Sequence, residues 1–362
     1  MRRSQWIQTV RAPGVAAALG AALLFGASTP LSKALLSSID PWVMAGLLYL
    51  GSGFGLAMYR WAKRMPVLVH LTRGEWLWLI AAVVAGGVVA PVLLMVGLTH
   101  IGGSNAALLL NAEGVFTALL AWFVFGENFD SRIAVGMLAI VAGAAVIGWP
   151  GAAATISIGA GWGSVLAVLG ACLAWGLDNN LTRKVSLADP TWIACVKGLA
   201  AGSTNLLIAC TFMRDVTFPP ISSLGAALIL GCIAYGVSLS LFVYSLRHLG
   251  SARSGAYFSI APFFGAALSV VLLHEEVTVQ LATAGALMAI GVWLHLTEHH
   301  SHVHTHVELE HEHDHVHDEH HRHGHSPEQI VDQQGKHSHA HHHGPMTHRH
   351  AHYPDVHHRH PH

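Results

Sequence analysis

Ten stretches of about twenty apolar residues follow one another from Pro13 to His295, and they constrain this chain more than any other feature. A helix needs about 20 residues to cross roughly 30 Å of hydrocarbon, and lipid leaves no other open backbone satisfied. Breaks at proline, glycine or charge place the spans at Pro13 to Lys33, Pro41 to Tyr59, Trp76 to Thr99, Gly103 to Phe125, Ile133 to Trp149, Trp162 to Thr182, Thr191 to Met213, Leu224 to Leu246, Ala252 to Leu273 and Val279 to His295. Charged residues make up only 11% of the chain against 52% hydrophobic ones, the balance of a polytopic membrane protein. The expected fold is therefore all-α, with ten transmembrane helices.

Basic residues orient the bundle, because they favour the cytoplasmic ends of short loops. With the N-terminus inside, that side holds Arg2, Arg3, Arg11, Arg60, Lys63, Arg64, Arg73, Arg132, Arg183, Lys184, Arg247 and Arg253, and the other only Lys33 and Arg214. The expectation is a multi-pass protein of the inner (cytoplasmic) membrane with both termini in the cytoplasm. The first span is too long for a signal-peptide core and is expected to stay.

The chain also repeats itself. Gly97-Leu-Thr-His100-Ile-Gly102 aligns with Ser245-Leu-Arg-His248-Leu-Gly250 at an offset of 148, which also carries Phe116 onto Phe264, Ala118 onto Ala266 and Glu127 onto Glu275. Phe25-Gly26 pairs with Trp175-Gly176, and Asp40-Pro41 with Asp189-Pro190. Each half holds five spans, an odd number, so the two enter the membrane inverted, as in many secondary transporters. The expected divisions are a cytoplasmic N-terminus (1–12), two five-helix repeats (13–150 and 151–297) and a tail (298–362).

The tail carries twenty-five of the thirty histidines. Imidazole suits transition metals, so the metal candidates are His302, His304, His306, His311, His313, His315, His317, His320, His321, His323, His325, His337, His339, His341, His342 and His343. Such a composition builds no packed core, and the tail is expected to be disordered. Glu310, Glu312, Asp314 and Asp318 are interspersed ligands. Binding should fail as pH drops below roughly 6.5 and the rings protonate. The expected ions are nickel and cobalt before cadmium and zinc, as cargo or tail ligands and not as a fixed cofactor.

Within the spans, Glu113 sits near mid-bilayer, where a charge costs on the order of 3 kcal/mol, and Thr117 shares its face one turn on. Asp178, Asn179 and Asn180 interrupt the sixth span, and Lys197 in the seventh lies within about a turn of the same depth, so Asp178 and Lys197 can pair. Glu113, Thr117, Asp178, Asn179 and Lys197 are the candidates for a transport pathway or coupling site, set against a purely structural role in joining helices. His100, His248 and His274-Glu275-Glu276 read first as capping and surface groups. Cys172, Cys195, Cys210 and Cys232 read as small buried hydrophobes. Ser28, Thr29 and Pro30 are expected to kink the first span. Gly51 and Gly55, and Gly136 and Gly143, suit close helix packing within one chain or in a homodimer.

The segment Leu109-Leu-Asn-Ala-Glu113-Gly-Val-Phe-Thr-Ala-Leu-Leu-Ala-Trp-Phe-Val-Phe-Gly126-Glu127, with Ser259-Ile-Ala-Pro262-Phe-Phe-Gly-Ala-Ala as its counterpart, resembles the drug/metabolite transporter superfamily and its EamA-type permeases. Glu113-Gly114 stands where that family commonly carries Glu-Pro. The resemblance covers residues of about 14 to 297 and implies two inverted five-helix repeats. The added histidine tail is similar to that of permeases attached to nickel and cobalt resistance systems. It implies a divalent-metal exporter whose tail collects cytosolic ions. The alternatives are a metabolite or metallophore exporter with a regulatory tail, or an accessory metal-binding component of a larger efflux system. The lipid bilayer and metal ions are the expected partners; near-neutral net charge offers no nucleic-acid footprint. No nucleotide loop, nucleophile motif or HExxH suggests an enzyme.

Overall fold

A computed structural model describes residues 13–66, 69, 71–125, 131–149, 158–185, 188–212, 219–249 and 257–296, and, in the tail, 301–306, 309–315, 337–343 and 346–351. Among the described residues, seven helices are long and apolar enough to cross a membrane. Three shorter apolar helices, Arg132–Gly148, Ala261–Leu273 and Val279–Leu294, bring the set to ten. The chain is a polytopic, all-helical membrane protein up to its tail.

Local chemistry sets the helix ends. The second span, Pro41–Ala62, starts at the Asp40 side chain, which accepts from Trp42 N, with proline at a position where no amide is missed. Thr72 and Glu75 form a reciprocal capping box that opens the third span. The first span, Pro13–Leu35, continues as helix through Pro30, with Ser28, Thr29 and Ser32 buried. The fourth span is divided into Gly103–Leu109 and Ala112–Phe125, and Asn111 turns its amide back onto Leu108 O at the junction.

Packing follows the duplication. The second span lies against the seventh and the fifth against the tenth, each pair self-equivalent when the halves are exchanged. The third packs on the sixth as the eighth packs on the first; the sixth packs on the fourth as the first packs on the ninth. Small residues bring these backbones into contact: a Cβ on Gly53 would stand 2.6 Å from Leu199 N, and one on Gly51 2.1 Å from Leu228 O. Gly143 meets Met288 and Ala284, and Gly291 meets Gly136. The glycines singled out from sequence thus join helices of one chain.

Each half also holds a wide helical turn. Val83–Val89 in the third span and Cys232–Val237 in the eighth are π-helices. They coincide to within a residue under the 148-residue offset. Such bulges concentrate at functional sites.

The tail, from His299, is a separate unit from residues 1–298. Within it Ser301–His306 (β1) pairs antiparallel with Met346–Ala351 (β4), and Leu309–His315 (β2) with His337–His343 (β3). Two-stranded ribbons bury no core, in keeping with the composition. Alternation of histidine with other residues in these segments has the period of a strand.

Candidate transport site

The polar residues read from the spans meet between the fourth, sixth and seventh helices. Asn179 Nδ2 donates to Glu113 Oε1 at 2.9 Å and to Thr117 Oγ1 at 3.3 Å. Asn180 Nδ2 donates to Thr117 O at 3.2 Å and to Gly176 O at 2.8 Å. Gly176 lets the helices approach: a Cβ there would be 3.0 Å from Phe116 Cβ and Thr117 N. Glu113 is half-buried, and among the described residues no donor reaches its second oxygen.

Asp178 has a different role. Lys197 Nζ lies 2.5 and 2.7 Å from its two oxygens, and Thr182 Oγ1 donates to Oδ1 at 2.8 Å. Asp178 is 6% exposed. Its charge is neutralised inside the fold, whereas Glu113 meets the amide of Asn179 and no cation among the described residues.

The π-turn of the third span forms the neighbouring wall. Tyr49 Oη donates to Gly86 O at 2.5 Å and Trp175 Nε1 donates to the same carbonyl at 3.0 Å. The wide turn frees this carbonyl for side chains, and Gly86 gives the Asp178 carboxylate its space. A Cβ at Gly86 would fall 2.0 Å from Asp178 Oδ2. Gly86→Ala is therefore expected to lower stability by about 1–3 kcal/mol, read as a fall in the unfolding midpoint in detergent. Gly74→Ala, with nothing within 4 Å, is the neutral control.

Aromatic rings complete the wall. Tyr49 and Tyr235 have centroids 5.8 Å apart, Tyr235 and Phe25 5.5 Å, Phe25 and Phe258 5.4 Å, and Phe258 and Phe242 4.8 Å. Sequence alone does not single out this cluster, because the same spans carry other aromatics, such as Trp42, Phe54 and Tyr59 beside Tyr49.

Polar ties close both ends of the bundle. At the end holding Lys33, Glu275 Oε1 accepts from Gly103 N at 2.6 Å, and Oε2 accepts from Ser104 N at 2.9 Å and Ser104 Oγ at 2.5 Å. Lys33 donates to Leu98 O and Thr99 O. His274 adopts left-handed φ of 54° where the ninth helix stops, a capping position. At the other end Arg60 reaches Asp189 Oδ2 at 2.9 Å and Thr191 Oγ1 at 2.5 Å. Partial burial works against the Asp189 carboxylate, but donors from Thr191, Arg60 and Trp192 hold it below the usual carboxyl range. This tie survives until acid protonates Asp189.

Among the described residues no three His, Cys, Asp or Glu side chains gather as a metal site. Cys172 donates to Leu109 O and Cys195 to Gly53 O, each at 3.5 Å. His317, His320, His321, His323, His325, Asp318, Glu127 and His248 lie outside the residues whose side chains are described. The other tail candidates stand on β1, β2 and β3.

Comparison with known proteins bears on the helical part. The model of the EamA-like transporter family matches residues 12–149 and 162–297. An uncharacterized transporter of Methanothermobacter thermautotrophicus is 27% identical over 78% of this chain and 85% of its own length. A probable terminal-alkyne amino-acid exporter of Streptantibioticus cattleyicolor is 28% identical over 63% of this chain and 76% of its own length. A crystal structure that is 18% identical superposes with a TM-score of 0.58 over 78% of this chain and 96% of that one, a likeness of fold.

Proposed function

The chain belongs to the EamA-like transporter family, and from that premise we propose that it exports a small organic solute bearing a cationic group, of the amino-acid kind. The observation that carries this reading is the Glu113 carboxylate, which sits between the spans and meets, among the described residues, the amide of Asn179 but no cation. An ammonium group gains a charge-assisted hydrogen bond from such a carboxylate. A transition metal wants about four protein donors, and Asp178 is already held by Lys197. The probable amino-acid exporter among the relatives fits the same cargo class.

Glu113 and Asn179 then bind cargo or the coupling proton, Thr117 extends that surface, and Asp178 with Lys197 joins the sixth and seventh helices. The inverted halves exchange access from the cytoplasm to the far side, with both termini cytoplasmic and the protein in the inner membrane. The histidine tail ties this activity to cytosolic nickel or cobalt as a metal-sensing regulator.

One observation favours a second reading, the export of divalent nickel or cobalt itself: the density of imidazole and carboxylate in the tail. Reconstituted protein decides between them. Labelled amino acids and labelled nickel are offered to proteoliposomes bearing the full chain or a chain ending at Glu298. The expected result is amino-acid flux in both proteins, changed by nickel in the full chain alone. Nickel flux without amino-acid flux overturns the proposal and selects metal export.

A further inference from the structure

A cavity of about 920 Å³ opens at the basic end of the bundle, away from the central site. Its walls are the end of the second span, the turn that follows, and the start of the seventh, with Arg60, Trp61, Arg64, Met65, Trp192 and Cys195 among the lining residues. We propose that this groove binds one anionic phospholipid, its headgroup phosphate on Arg64 and Lys63 and its acyl chain on the outer face of the second span.

Charge selects the headgroup. Arg60 lines the groove but is committed, to Asp189, Thr191 and Pro66 O, so it braces the floor. Arg64 is exposed and makes no side-chain hydrogen bond or ion pair among the described residues. Its backbone is left-handed, with φ of 52°. The turn is a helix stop in which Met65 N donates to Arg60 O and Arg64 N to Trp61 O, both at 3.0 Å. Glycine suits such a position, and a side chain there is strained. An arginine held there at a groove mouth places a free guanidinium beside the exposed Lys63.

The apolar part follows from helical spacing. Phe54, Met58 and Trp61, at intervals of four and three, are 55%, 70% and 84% exposed and share one face of the second span. That stripe runs from the cavity into the bilayer, and a tryptophan at its head sits where aromatic belts meet headgroups. Basic pockets between helices next to an apolar face suit anionic lipid.

Trp61 reports on the occupant. Its emission, taken as the difference between the full-length protein and Trp61→Phe, is measured in phosphatidylcholine vesicles doped with brominated phosphatidylglycerol or brominated phosphatidylcholine. Phosphatidylglycerol is expected to be preferred by roughly fivefold per cationic residue engaged, and the preference should vanish in Arg64→Gln with Lys63→Gln, with helix content by circular dichroism checking the fold. Equal quenching by the two lipids overturns the proposal, as does a preference that survives both neutralisations. Loss of the preference on adding inorganic phosphate also overturns it and makes the groove a site for free anions.

Discussion

Glu113→Ala is expected to cut export by about 10- to 150-fold, the loss that follows when a charge-assisted hydrogen bond of ~1.5–3 kcal/mol is removed from the bound cargo. The measure is initial flux of a labelled amino acid from vesicles carrying equal amounts of protein. Glu113→Gln separates two reasons for that loss. The amide fills the same space and can still accept from Asn179, so a purely structural contact between the fourth and sixth helices would survive it. A coupling or binding carboxylate would not, and the Gln variant should be as inactive as the Ala variant. Wild-type flux in Glu113→Gln would remove Glu113 from the transport site while leaving membership of the family untouched.

The second large effect is on folding. Lys197→Met leaves Asp178 as an unpaired carboxylate at a position only 6% exposed, for which a loss of about 3–5 kcal/mol is expected. It would appear as a lower thermal midpoint in detergent and poor recovery of protein from the membrane. Replacing both partners, Lys197→Met with Asp178→Leu, should restore most of that stability, because two apolar groups owe nothing to each other. If the double variant also transports at the normal rate, the pair is a structural tie between the sixth and seventh helices. If it is stable but inert, the pair takes part in the exchange of access.

The sequence exposed the elements whose signal is length or identity. Most of the helices begin and end within a few residues of the apolar runs, as at Pro41 and Gly103, because hydrocarbon thickness sets their length; the ninth, expected from Ala252, is a helix from Ala261 among the described residues. Asp178 and Lys197 were matched through their depth, since rise per residue is fixed in a helix. Contacts that depend on the rotation of one helix about its axis were beyond such reasoning. Nothing in the run around Glu113 tells that Asn179 faces it, or that the carboxylate of Glu275 reaches back to Gly103 and Ser104. The π-turns carry no residue signature either; only the small residues Ala85, Gly86 and Gly87, and Ala234 and Gly236 in the other half, sit where the wide turns fall.

Those two wide turns are an inheritance held in common by the two halves. A π-turn takes up one residue more than an α-turn over the same rise, so a helix acquires one through a single-codon insertion and loses it through a deletion. The bulges fall at matching places in the third and eighth spans, and one insertion in a five-helix ancestor, made before its gene was doubled, is the simplest history that yields both.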